Sequence, residues 1–234
     1  MAQSNGIAPA AAASPADGAV AFAPIEEAIA AIRNGEFVIA VDDDDRENEG
    51  DLIIAAEKVT EAQMAFLVRY TSGLICAPAL PSVCDRLRLP LMVPENEYTE
   101  PLRTKYTVSI DARANTTTGI SAHDRSLTAN LIGSADSTPA DFIRPGHMFP
   151  LRYEPGGVLV RRGHTEASVD LCLLAGLQPA AVIAELQLDT GKMMRRDDCF
   201  AFAQQHGIKL VTIDDLAAHI RAKCAADGSK WMFA

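Results

Sequence analysis

Apolar positions recur along the chain with helical and strand periods. Pro24 suits a first helical position, and Ile25, Ala28, Ile29 and Ile32 follow at helical spacing until Asn34-Gly35 ends the helix. Residues 37–41 and 52–56 are continuous apolar runs, the mark of buried strands. Thr60 and Gln63 form a capping box for a helix reaching about Tyr70. Residues 74–79 read as a strand, 82–89 as one or two helical turns, and 107–111 alternate as a strand does. Ser121 is placed to cap a helix over 123–132. Residues 133–157, rich in Ser, Asp, Pro and Gly, read as loop, and 158–160 as a brief strand. Thr165 is placed to cap a helix carrying Val169, Cys172, Leu173 and Leu177. A strand over 180–186, a helix over 196–206, a strand over 209–213 and a helix capped by Asp214 and ending near Lys223 complete the pattern.

Strands and helices mix without strict alternation, and no internal repeat is present. The expected fold class is α+β: one three-layer α/β/α domain over 24–224 with a mixed, twisted central sheet. Residues 1–23 hold ten alanines and no Lys or Arg, interrupted by Gly6, Pro9, Pro15 and Gly18. They lack the basic start and Leu-rich middle of a secretory signal and read as a disordered N-terminal extension. Residues 225–234 read as a C-terminal tail.

Charge narrows the partners. Lys plus Arg number 21 against 31 Asp plus Glu, a formal net charge of -10. That balance opposes duplex nucleic-acid binding and adhesion to an anionic membrane surface, but not a small anionic substrate held by a local basic cluster. No apolar run approaches the ~18 residues of a membrane span. The cysteines, Cys76, Cys84, Cys172, Cys199 and Cys224, form no C-x-x-C pair and lie in mostly apolar stretches. They read as reduced thiols of a cytoplasmic protein.

Two segments carry chemistry. DDDDRENEGD, residues 42–51, packs seven acids and Arg46 between two apolar runs. Their mutual repulsion calls for a hard divalent cation or for protonation of some members. Strand alternation would send Glu47, Glu49 and Asp51 to one side. RRGHTEA, residues 161–167, places Arg161, Arg162 and Gly163 ahead of a helix start. Free N–H groups, the positive dipole end and two guanidinium groups make an anion site that suits a phosphate, with His164 beside it to ligate metal or move protons. On physics alone this serves several metal-dependent sugar-phosphate enzymes, isomerases and aldolases included, and the turn by itself would also serve a non-catalytic anion- or nucleotide-binding module.

Together with TTTGISAHDRSLT (116–128), RPGHMFPL (144–151) and RRGHTEASVDLCLLAGL (161–177), the acidic run resembles the 3,4-dihydroxy-2-butanone 4-phosphate synthases of riboflavin biosynthesis, in the same order and over about residues 24–224. The resemblance implies conversion of D-ribulose 5-phosphate to L-3,4-dihydroxy-2-butanone 4-phosphate and formate with Mg²⁺ or Mn²⁺, two ions per site, in a homodimer whose active sites lie near the subunit interface. It implies the monofunctional form, since no zinc-binding cysteine cluster of a fused cyclohydrolase follows. Carried over by position, Glu47 and His164 are metal ligands. Arg46, Glu47, Asp51, Arg161, Arg162, Gly163, His164, Thr165 and Glu185 contact substrate, and His147, Glu185 and Asp51 are catalytic. Thr118, Asp124 and Arg125 resemble a further active-site segment, and Cys76 a cysteine near the site. Residues 188–195, LDTGKMMR, depart from the NDDGTMAR common in relatives, which puts contacts of that loop in question.

Overall fold

The computed structural model describes residues 21–231. Strands β1 Val38–Val41, β2 Gly50–Ala55, β3 Cys76–Ala79, β4 Ile110–Ala112, β5 Phe142–Arg152, β6 Ala181–Glu185 and β7 Lys209–Thr212 form one sheet in the order β4-β5-β3-β6-β2-β1-β7. It is mixed: β1 runs parallel to β7 and β3 to β5, and the other neighbours are antiparallel. The helices are α1 Ile25–Asn34, α2 Glu61–Tyr70, α3 Pro81–Arg86, α4 Ala122–Ile132, α5 His164–Leu174, α6 Arg196–His206 and α7 Ile213–Asp227.

Period-2 alternation explains the continuous apolar strands. Val38, Ala40, Ile53 and Ala55 face a layer built by α1, α5 and α7, where Ile25, Ile32, Leu171 and Leu216 pack. Ile39, Val41, Leu52 and Ile54 face the opposite layer, where Met64 and Leu67 of α2, Ala129 of α4 and Phe202 of α6 pack. With each full burial worth roughly 1.5–3 kcal/mol, this double-sided burial fixes the strand register.

The expected α+β three-layer arrangement holds, with local differences. Residues 142–152, read as loop, are the longest described strand. Its Pro145, Gly146 and Pro150 hide it, and only Phe142, Met148, Pro150 and Leu151 are buried along it. The brief strand expected over 158–160 is a 3₁₀ turn, Gly157–Leu159, because Gly156 and Gly157 take φ of 94° and 59°. The strand expected at 107–111 narrows to β4, preceded by single bridges at Tyr106 and Thr107. The first-turn cap of α7 is Thr212, whose Oγ1 accepts from Asp215 N–H at 2.9 Å, not Asp214. The helix runs on to Asp227, so the expected tail from 225 begins inside it.

The N-terminal boundary also moves. Residues 1–20 of the expected extension lie outside the described residues. Ala23 N–H donates to Leu210 O at 2.8 Å on edge strand β7, and the Phe22 ring lies 4.8 Å from that of Phe200, so packing starts before Pro24. Among the described residues no helix is long and apolar enough to cross a membrane.

Candidate active site

The acidic run is the tip of the β1–β2 hairpin, where Val41 opposes Gly50. Asp42, only 3% exposed, organises it. Its Oδ2 accepts from Arg46 Nη1 at 2.9 Å and Glu47 N–H at 3.0 Å, and its Oδ1 accepts from Glu49 N–H at 2.9 Å. The segment between is a turn with Asn48 at φ 53°, so strand alternation stops there. Glu47 and Asp51 reach the cavity, whereas Glu49 turns to Arg195 at 3.7 Å. Arginines relieve the expected repulsion: Arg46 pairs with Asp42 and Glu47, Arg162 with Asp214 and, at 4.0 Å, Asp43, and Arg196 with Asp44 at 3.3 Å. Arg195 Nη1 donates to Glu47 O at 2.7 Å and Asn48 O at 2.6 Å. The divergent 188–195 segment therefore still clamps the hairpin tip.

Opposite the hairpin stands the first turn of α5, which starts at His164, one residue before the expected Thr165 cap. Its N-cap is Gly163, with no side-chain acceptor for the first N–H groups. A Cβ on Gly163 would collide with Arg161 Nη1 and stand 3.0 Å from Arg46 Nη2, so the missing side chain lets two guanidinium groups converge on the helix start. Arg161 is held by buried Glu166 at 2.6 Å, by Leu102 O and by Thr104 Oγ1 at 3.0 Å. Arg162, expected to bind substrate, is occupied by its acids and is not among the cavity-lining side chains.

One cavity joins the two halves. Arg46, Glu47, Asp51, Arg161, His164, Thr165 and Glu185 line it together with Cys76, Thr104 and Tyr106. His164 Nδ1 lies 3.3 Å from Glu47 Oε2 and 3.6 Å from Asp51 Oδ1. Burial opposes charge on Glu47, yet His164 and Arg46 outweigh it and hold the carboxyl at about 2. Burial pushes Asp51 the other way, up to about 8, with Glu185, Glu47 and Asp42 adding to the rise and His164 opposing it. Two neighbouring carboxyls so separated in acidity suit different duties, one a permanent anion and one a proton carrier. Glu185 stands opposite Asp51 across β2–β6, and its Oε2 accepts from Ser72 Oγ at 2.7 Å.

The donors fit a hard divalent cation. Oxygen or nitrogen atoms of Asp42, Glu47 and His164 lie within 4.8 Å of one another. His164 Nε2 and Asp51 Oδ1 are buried with no hydrogen-bond partner, a costly state that a cation or its waters would relieve.

His147 is elsewhere. It lies on β5, two residues before Phe149, which pairs with Cys76 of β3, and it is not among the cavity-lining side chains. Asp111 holds it, and the 115–121 loop adjoins it. Asp124 Oδ2 gathers that loop through Thr117 N–H, Thr117 Oγ1 and Gly119 N–H, leaving Thr118 exposed. Arg125 is 5% exposed and its Nε has no partner. Burial pushes the Cys76 thiol far up, so it is a neutral lining group and not a nucleophile. All five cysteines are free. Asp42, Thr104, Tyr106, Ser72 and Asp111 escaped the sequence reading. Asp42 was hidden in a run of like residues, and the others act through contacts distant in sequence.

A cation site facing a phosphate-type helix start, on a mixed-sheet α+β domain, defines a class: metal-assisted enzymes of small phosphorylated substrates. The sequence model of the family described as 3,4-dihydroxy-2-butanone 4-phosphate synthase matches residues 26–219. The synthase of that name from Candida albicans is 54% identical over 200 residues, covering 85% of this chain and 97% of its own. That from Saccharomyces cerevisiae is 52% identical over 206 residues, covering 86% and 99%. A crystal structure of a 3,4-dihydroxy-2-butanone 4-phosphate synthase in complex with two magnesium ions matches with a TM-score of 0.82 and 52% identity, over 86% of this chain and 98% of the other. The chain belongs to the 3,4-dihydroxy-2-butanone 4-phosphate synthase family.

Proposed function

We propose that this protein converts D-ribulose 5-phosphate to L-3,4-dihydroxy-2-butanone 4-phosphate and formate for riboflavin biosynthesis, with Mg²⁺ or Mn²⁺. The observation that carries the reading is the single cavity in which Glu47 and His164 face Arg46, Arg161 and the α5 start. The first turn of α5, with Thr165, and the guanidinium of Arg46 bind the phosphate and orient the sugar carbons toward Asp51 and Glu185. Arg161 borders the same pocket, fixed by Glu166. Divalent cations held by Glu47 and His164 supply Lewis-acid stabilisation of negative charge developing on substrate oxygens. Asp51, 2% exposed and raised by burial to about 8, takes the first proton beside the carbonyl. Glu185, oriented by Ser72, serves a later proton transfer.

Purified protein given D-ribulose 5-phosphate and Mg²⁺ is expected to release formate, and excess chelator to abolish the release. Absence of formate with Mg²⁺ present, or an isomerised pentose phosphate as sole product, overturns the reading.

His147 completes the site from a second copy in a homodimer. In support, it lies off its own chain's cavity, and exposed Leu74, Ile120 and Ile143 sit on the segments around it, 40%, 50% and 40% exposed respectively. Glu47→Gln and His147→Asn should each be inactive, whereas mixed and re-equilibrated subunits should recover up to about a quarter of wild-type activity, the statistical share of intact sites in a C₂ dimer. No recovery in confirmed heterodimers sinks the shared site. The buried free thiols suit a cytoplasmic enzyme.

A further inference from the structure

The His147 ring is held by a construction too specific for a surface histidine. Asp111 Oδ1 accepts from the His147 backbone N–H at 2.8 Å, and Asp111 Oδ2 lies 2.7 Å from His147 Nδ1. The carboxylate is 3% exposed in its side chain and the imidazole 42%. Both oxygens thus engage one residue, so neither carboxylate nor ring can rotate freely. At that distance from an acceptor-only carboxylate, Nδ1 must carry the hydrogen, which leaves the Nε2 lone pair on the exposed side.

Three segments are shaped around this contact. The β4–β5 register jumps from Ile110↔Met148 to Asp111↔Ile143, an irregularity that loops residues 144–147 of β5, His147 among them, out beside Asp111 in the middle of β4. A Cβ on Gly146 would collide with the backbone of Ile110 and Asp111. A Cβ on Gly119, at φ 95°, would collide with Asp111 Oδ2 and stand 2.7 Å from His147 Nδ1.

We propose that Asp111 is the positioning residue of His147: it fixes the Nδ1–H tautomer and presents Nε2 as the atom that exchanges protons with substrate. This rests on the catalytic role of His147 in the proposed function. Asp111 itself touches no substrate and is not a catalytic residue.

The test uses the full chain as wild type, Asp111→Asn, Asp111→Glu and Gly119→Ala. The ¹⁵N shifts of the His147 ring, assigned by their loss in His147→Asn, report the tautomer without any turnover. The wild type is expected to show protonated Nδ1 and unprotonated Nε2. Asp111→Asn and Gly119→Ala should mix the tautomers. For formate release, Asp111→Asn should lower kcat at least about tenfold with KM nearly unchanged, as loss of a tautomer-fixing carboxylate does elsewhere, and Asp111→Glu should recover part of it. A wild-type ring with hydrogen on Nε2, or an unchanged kcat in folded Asp111→Asn, overturns the proposal. A fall in melting temperature with no change of tautomer also overturns it, leaving Asp111 a strand anchor. Wild-type protein that shows the Nδ1–H tautomer but releases no formate fails the proposed activity and leaves the positioning geometry supported.

Discussion

Asp42 illustrates how one side chain sets a site it does not present to substrate. It turns three hydrogen bonds inward on its own hairpin tip, and those bonds aim Glu47 at His164. Each is worth about 0.5–1.5 kcal/mol net. Asp42→Ala is therefore expected to weaken Mg²⁺ binding at least about tenfold, since it removes both the contacts that aim Glu47 and a carboxylate of the donor set, with a smaller effect on folding. Titration calorimetry reads the affinity, and an unchanged dissociation constant contradicts the assignment. The residue types of the acidic run were legible as cation chemistry. Which of its seven acids are buried, Asp42 and Asp51, was not, because the hairpin pairing and the turn at Asn48 decide it.

At the scale of elements, helix α5 joins the proposed anion site to the core. Its first turn faces the cavity, and Leu171 and Cys172 further along are fully buried against the sheet. The absence of a Cβ at Gly163 is what lets Arg161 and Arg46 approach that turn. Gly163→Ala should displace the guanidinium groups and raise the inhibition constant of inorganic phosphate about tenfold, a loss of roughly 1.4 kcal/mol of anion binding. Inhibition at the wild-type constant argues against the helix start as the anion site. Helix positions were readable in the sequence because apolar spacing, the Thr60–Gln63 box and the Ser121 cap are local signals. Strand β5 was not: its prolines and exposed 143–145 segment resemble a loop until β3 and β4 supply partners.

Across the whole molecule, the C-terminal end is tied to the same helix. Asp170 of α5 is fully buried and accepts from Tyr153 Oη at 2.7 Å, Val158 N–H at 2.9 Å and Trp231 Nε1 at 2.9 Å. Burial outweighs these donors and pushes its carboxyl up to about 6. A carboxyl raised in the folded state stabilises fully below its unfolded pKa of about 3.9 and loses that contribution as pH rises through the folded value. The unfolding free energy of wild type minus that of Asp170→Asn should therefore decline from pH 4 to 6.5. Urea titrations across that range check it, and a flat or rising difference refutes the raised acidity constant.

The chain's order of residues alone was enough to establish the α+β class, most helices, the buried strands and the two chemical segments, since periodicity, caps and clustered charge act over a few neighbours. Tertiary structure decided the rest. Sheet order brings residue 47 beside residue 164, sets Asp51 against Glu185, turns Arg162 outward and carries His147 off the cavity. Those outcomes follow from which strands pair and which side chains lose water, and both depend on contacts between segments far apart in the chain.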